Sequence, residues 1–194
     1  MTFTSAEQSF SRAFHFRKAS SLVPLYKTFI RPKLEHAVAA RSPWLEGDKE
    51  ELEKVQRKLV RLISDKRGNS YEERLTSIGL TSLSERRRRG DLIETFKMMN
   101  EFNRVDKNNW FKFRDSSSNR ATRSTVTVTG DQQHARSDVL FKENVRLETR
   151  KQFFSVRVVD EWNRIPDEIK AQKTVNTFKN RYDEWSRSEA ERRN

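Results

Sequence analysis

Four consecutive arginines, Arg86–Arg89, form the densest run of chemically active side chains in the sequence. A guanidinium carries a permanent charge and a planar fork of donors, which suits phosphate oxygens. Successive residues of a helix point about 100° apart, so four in a row cannot face one ligand and about two reach the same phosphate backbone. A second basic set, Arg57, Lys58 and Arg61 with Lys54, lies off an apolar helical stripe. A third, Arg120, Arg123 and Arg136, followed by Lys142, Arg146, Arg150 and Lys151, sits on Ser- and Thr-rich chain. Basic residues on loops with aromatics nearby suit phosphate tracking and base stacking. The chemistry on offer is the binding of polyanions.

Other chemistries are thinly represented. Without cysteine there is no disulfide, zinc knuckle or thiol nucleophile. His15, His36 and His134 are dispersed, and His36 beside Glu35 reads as a surface residue. The five glycines are isolated, so no loop cradles a phosphate, and no Ser/His/Asp set stands at a familiar spacing. Two-metal nucleotidyl transfer needs clustered carboxylates. No two aspartates are adjacent, and the doublets Glu50-Glu51, Glu72-Glu73, Asp160-Glu161, Asp167-Glu168 and Asp183-Glu184 read as solvated or capping acids. The residues themselves lead us to expect no catalysis, no cofactor and no metal.

The 194 residues include 40 Lys+Arg against 28 Asp+Glu, a net charge of +12. A field of that sign favours nucleic acid first and an anionic membrane face second. Leu, Ile, Val and Phe make up roughly 23% of the chain, just above the ~20% below which highly charged chains stay disordered. A thin core is expected, and the scarcity of Gly and Pro favours helices. No apolar run approaches the ~18 residues of a membrane span. No apolar signal segment opens the sequence, so an intracellular place is expected. Most of the excess charge falls in residues 1–47 and 104–151, whereas the helix-like stretches 48–103 and 152–194 are close to neutral.

The elements that must position these groups follow from spacing. Residues 1–19 read as loosely ordered. Leu22, Leu25, Tyr26, Phe29 and Ile30 predict a helix from Ser21, with Pro24 in its first turn and a kink at Pro32, continuing to about Ala40. Gly47-Asp48 opens the next helix, with Asp48 and Glu51 as a capping box and Leu52, Val55, Leu59 and Leu62 as a narrow stripe. Arg67-Gly68-Asn69 is a turn. Ser70–Glu73 is a second box, Gly79 a stop, and Ser82–Glu85 a third box that starts a long helix faced by Leu92, Ile93, Phe96, Met99 and Phe102. Ser116–Asn119 reads as a loop and Thr125–Thr129 as a short strand, with Phe141, Val145 and Leu147 as a weak partner. Helical pattern returns from Thr149 to Trp162 and again after Thr174, and the tail from Ser186 is expected to fray. Trp162 and Trp185 fall on apolar helix faces and read as core, while Trp44 and Trp110 sit in linkers.

Several blocks, in order, resemble a known family. Leu25-Tyr-Lys-Thr-Phe-Ile-Arg-Pro-Lys-Leu-Glu35, Ser42-Pro43 and Leu52-Glu-Lys-Val-Gln-Arg57 are similar to a signature just downstream of the polymerase palm in reverse transcriptases of non-LTR, LINE or jockey-like retrotransposons. The resemblance continues through Ser70–Leu75, Gly79-Leu80, Arg86–Lys97, Phe153-Phe154, Arg157–Val159, Trp162-Asn163, Pro166 and Val175–Arg181, about residues 16–186 in all. It implies a thumb that grips a template–primer duplex, followed by an extension that contacts RNA or DNA. The family's catalytic Tyr-Ala-Asp-Asp type of motif is absent. Arg41 stands where the family usually has Trp, and Ser124 where Gly usually follows Thr-Arg.

The expectation is therefore a mainly α chain. Residues 20–103 would form a thumb-like helical bundle, 104–148 a basic, loop-rich and weakly β segment, 149–186 a C-terminal helical pair, and 187–194 a polar tail. The expected activity is salt-sensitive, sequence-independent binding of RNA or an RNA–DNA duplex, with no membrane partner. The expected contacts are Arg57, Lys58, Arg61 and Arg86–Arg89 on helices and Arg120, Arg123 and Arg136 on loops. The alternatives are a helical protein-interaction domain that docks a partner helix on its narrow stripe, an enzyme without a familiar motif, and a non-functional retrotransposon-derived reading frame; the missing palm is a further possible partner.

Overall fold

The structure, a computed structural model, describes residues 18–40, 42–43, 45–63, 70–114 and 139–193. The expectations for residues 1–17, Trp44, the Arg67–Asn69 turn, the Thr125–Thr129 strand and the loop contacts Arg120, Arg123 and Arg136 lie outside the described residues. What is described is mainly helical. Residues up to Arg89 belong to one compact unit and residues from Gly90 to a second. This division falls inside a helix rather than near residue 103.

In the first unit, helix α1 (Ala19–Leu25) passes into a π-helical stretch, Tyr26–Ile30, and then helix α2 (Arg31–Leu34). Pro24 lies inside α1 rather than in its first turn. Pro24 and Pro32 each lack the N–H that an α-ladder needs, and between them the backbone widens, with Arg31 N–H donating to the Tyr26 carbonyl. The expected run to Ala40 does not form. The chain leaves α2 after Leu34 and turns through Ala37 at φ 52, a left-handed state that ends a helix.

Helix α3 (Glu46–Ile63) starts ahead of the expected Gly47-Asp48 opening, which places Asp48 in its first turn instead of at its cap. There the carboxylate still faces the positive end of the helix dipole. Helix α4 (Tyr71–Ser77) opens with the expected box: Glu73 N–H donates to Ser70 Oγ at 3.2 Å, and Ser70 N–H to Glu73 Oε2 at 2.9 Å. It closes in a Schellman turn. Gly79 adopts φ 65, and Leu80 N–H reaches back to the Leu75 carbonyl at 2.9 Å. Leu75 and Leu80 both enter the core with Leu22, Val23, Tyr26, Leu34, Leu59, Val60, Ile63 and Leu83.

Helix α5 (Leu83–Met99) is capped by Ser82, whose Oγ accepts from Glu85 N–H at 3.2 Å. Its first half lies in the first unit and its second half in the other. Its end is a second Schellman turn: Glu101 sits at φ 59, and Phe102 N–H bonds the Lys97 carbonyl at 2.9 Å. Phe102 thus lies beyond the helix whose apolar face the spacing predicts it to join, yet stacks on Phe96 at 5.9 Å, the hydrophobic contact this turn often carries.

The second unit owes its core to the end of α5 and the C-terminal elements. These are helices α6 (Glu148–Lys151), α7 (Phe154–Arg157), α8 (Val159–Arg164), α9 (Asp167–Lys170) and α10 (Val175–Arg193). The sequence pattern from Thr149 suggests one helix, but the chain breaks it into α6, α7 and α8. Phe153 is extended, and β-branched Val156, Val158 and Val159 crowd the preceding turn of a helix. Ile165 is extended because Pro166 follows. Thr174 and Thr177 cap α10 reciprocally, Thr177 N–H donating to Thr174 Oγ1 at 3.1 Å. The helix continues past Ser186 instead of fraying there, among good helix formers with an Arg192–Glu189 pair at 3.0 Å. Phe96 stacks on Phe178 at 4.2 Å, and Trp162 is 1% exposed. Trp185 is half-buried against Tyr182.

Among the described residues the only β pairing is an isolated antiparallel bridge, Phe113 to Leu140, rather than a strand through Phe141, Val145 and Leu147. Asn163 completes it from the side. Its Nδ2 donates to the Leu140 carbonyl, and its Oδ1 accepts from Leu140 N–H, both at 2.9 Å.

Candidate nucleic-acid interface

The structure separates the helix-borne basic residues into two kinds. Arg86 and Arg87 hold the first unit together. Arg86 donates from Nε and Nη2 to the Glu35 carboxylate, the second bond at 3.0 Å, and Arg31 approaches the same carboxylate at 3.8 Å. Burial and the nearby Arg86 charge push the Arg31 guanidinium below its ordinary value, opposed by Glu35. Arg87 is 7% exposed and donates to the Leu34 carbonyl at 2.7 Å, a group that the early end of α2 leaves open. A buried guanidinium spent on a backbone carbonyl cannot also reach a phosphate outside. Sequence reasoning assigned Glu35 no role and read only its neighbour His36, as a surface residue. His36 is exposed, whereas Glu35 is the carboxylate on which Arg86 closes.

Arg88 is exposed and Arg89 half-buried. On α3 the side chains of Lys54, Lys58 and Arg61 are exposed at i, i+4 and i+7 spacing. Gln56, Leu59, Val60 and Ile63 are buried on the opposite face. With 100° per residue the two sets are roughly half a turn apart. The acids of α3 gather toward its start. Glu50 pairs with Arg57 at 2.9 Å and Glu51 with Lys54 at 2.5 Å. Arg57 also lies over the Tyr71 ring at 5.2 Å. Lys58 and Arg61 stand at the end of the helix, where the cationic face is strongest.

Behind that face lies a buried polar network that no motif announces. Gln56 is 0% exposed. Its Oε1 accepts from Tyr26 Oη at 2.6 Å, and its Nε2 donates to Glu53, Tyr71 Oη and the Thr81 carbonyl at 3.2, 3.1 and 3.0 Å. Tyr71 donates to Glu53, which also accepts from Leu83 N–H at 2.9 Å and so ties α3 to the start of α5. Burial, with the carboxylates of Glu35 and Glu53, pushes the Tyr26 phenol far above its ordinary value. Burial and the hydrogen bond to Glu53 do the same for Tyr71. A glutamine amid apolar neighbours on a helix face was the one available signal.

Among the described residues no group of three or more His, Cys, Asp or Glu could hold a metal ion. No described helix is long and apolar enough to cross a membrane. Neither a family model nor a curated protein nor a solved structure matches this chain.

Proposed function

We propose that the chain is a cationic helical module that binds RNA or an RNA–DNA duplex through phosphates, with little regard to sequence. We read it as the thumb and post-thumb portion of a LINE-type reverse transcriptase. The observation that carries this reading is the α3 face of Lys54, Lys58 and Arg61, set opposite the core-facing side of the same helix. The ordered blocks of family resemblance and the net charge of +12 support it. The reading assigns these residues binding and no catalysis.

Docking of a partner helix on the narrow stripe has less support. Leu59 lies in the core, and Leu52 and Val55 pack against it, so most of the stripe is already occupied. Salt-dependent anisotropy with a labelled RNA–DNA hybrid tests the proposal. With roughly six phosphate contacts, affinity should fall about a thousandfold between about 50 and about 200 mM salt. A flat titration at about 50 mM salt for both single-stranded and duplex probes sinks it.

A further inference from the structure

We propose that the second unit carries a stacking platform for the unpaired bases of a single-stranded nucleic acid, formed by Trp110 and Phe153 with Lys112 and Arg150 placed for its phosphates. The proposal rests on the reading above and narrows it to a strand form. Large aromatic side chains normally end up mostly buried. Here Trp110 is 47% and Phe153 54% exposed. Trp110 meets buried Phe154 edge-on, with centroids 6.2 Å apart and planes at 74°, so a core ring props the indole while much of it stays in solvent. Phe153 directly precedes Phe154 in the chain, and the Arg150 guanidinium lies 4.9 Å from its ring centroid.

A chain of contacts connects the segment of Phe153 to that of Trp110. Arg150 approaches Glu143 at 3.8 Å, and Glu143 accepts from Lys112 at 2.7 Å. Lys112 follows Trp110 by two residues. The hydrogen bond and charge of Lys112, with help from Arg150, hold the Glu143 carboxyl below its usual range. One carboxylate shared by two cations leaves the patch positive, and exposed Arg146 lies on the same segment.

Exposed rings bordered by cations are what a single strand needs: bases stack on the rings while the backbone follows the charge. Away from its ends a duplex keeps its base faces stacked inside and offers the rings only base edges. A purely apolar protein ligand would make no use of the excess positive charge that Lys112 and Arg150 keep beyond their shared Glu143.

The full chain should be titrated by anisotropy against labelled oligo(dT), oligo(U) and a blunt RNA–DNA hybrid, alongside Trp110→Ala, Phe153→Ala and Trp110→Phe. Trp110→Ala and Phe153→Ala should each weaken single-strand binding about tenfold, with the salt slope unchanged. Hybrid binding should stay within about twofold, and Trp110→Phe should keep most of the affinity. Phe153, more than half exposed, is the second probe should removal of the indole disturb Phe154. Single-strand affinity unchanged in both alanine variants overturns the platform, as does a chain that binds the hybrid alone. Failure to bind any of the three probes overturns the nucleic-acid reading itself, and the platform with it.

Discussion

Arg157 grips Asp91 with two parallel bonds, Nε to Oδ2 and Nη2 to Oδ1, each 2.9 Å long. Its Nη1 donates to the Gln152 carbonyl at 2.8 Å, and its guanidinium lies 5.7 Å from the Phe154 ring centroid. The pair is largely buried, with side chains 17% and 9% exposed. It links α5 to α7 across 66 residues of chain. Removing one member strands the other charge out of water. We expect Asp91→Ala to cost about 3–5 kcal/mol in denaturant unfolding. Arg164→Ala, which removes only the exposed pair to Glu161, should change stability by about 0.5 kcal/mol or less. Similar losses in the two variants would refute the special role of the buried pair.

The Gln56 network makes a second, independent demand on the first unit. Gln56→Leu keeps roughly the volume but leaves the Tyr26 hydroxyl without its acceptor and the Thr81 carbonyl without its donor. A loss of about 3 kcal/mol is expected. Tyr26→Phe in the Gln56→Leu background removes one of the stranded groups, so the double variant should recover part of the loss. Strictly additive losses in the double-variant cycle would show that the two side chains act independently.

Stability should fall on the alkaline side. Both Tyr26 and Tyr71 hold their protons more tightly folded than unfolded. Below about pH 10 the phenols are neutral in both states, so their contribution is complete there. As pH rises past that point the unfolded chain ionises its tyrosines while the folded chain resists, and stability declines toward the raised folded values. Thermal melts from about pH 8 to about pH 11 should show a falling Tm in the upper part of that range, and native tyrosinate absorbance should lag behind that of the unfolded chain. A Tm that is flat across the range, with native and unfolded titrations superimposed, contradicts the burial of these phenols.

The arginine run should divide into folding and binding residues. Arg87→Ala removes the donor to the Leu34 carbonyl and should cost about 2 kcal/mol. Arg88→Ala, on an exposed side chain, should leave the melt nearly unchanged. Charge reversal at Lys58 and Arg61 together should lower hybrid affinity and flatten its salt dependence by about two contacts. Equal melts for the Arg87 and Arg88 variants would erase the distinction drawn from burial.

Much of the local structure was legible in the residues themselves. The Ser70 box, the Gly79 stop and the Ser82 cap depend on groups three to five residues apart, and such neighbours interact whatever the rest of the chain does. The helical class and the core placement of Trp162 follow from apolar spacing in the same way. The early end of α2, the broken stretch from α6 to α8 and the persistence of α10 were not legible, because each sets a weak local preference against packing or turn geometry.

The basic residues show where sequence stops. Composition alone determined that the chain is cationic and helix-rich, and helical spacing alone determined that Arg86–Arg89 cannot act as one unit. Which arginine turns inward was decided by groups about fifty residues away, the Glu35 carboxylate for Arg86 and the Leu34 carbonyl for Arg87. The Trp110–Phe153 patch was likewise invisible, since its members come from segments about forty residues apart and meet through Phe154, Glu143 and two cations. A charge or a ring is written in the sequence. Whether it faces solvent or a partner depends on desolvation and long-range contact, and those exist only once the chain has folded.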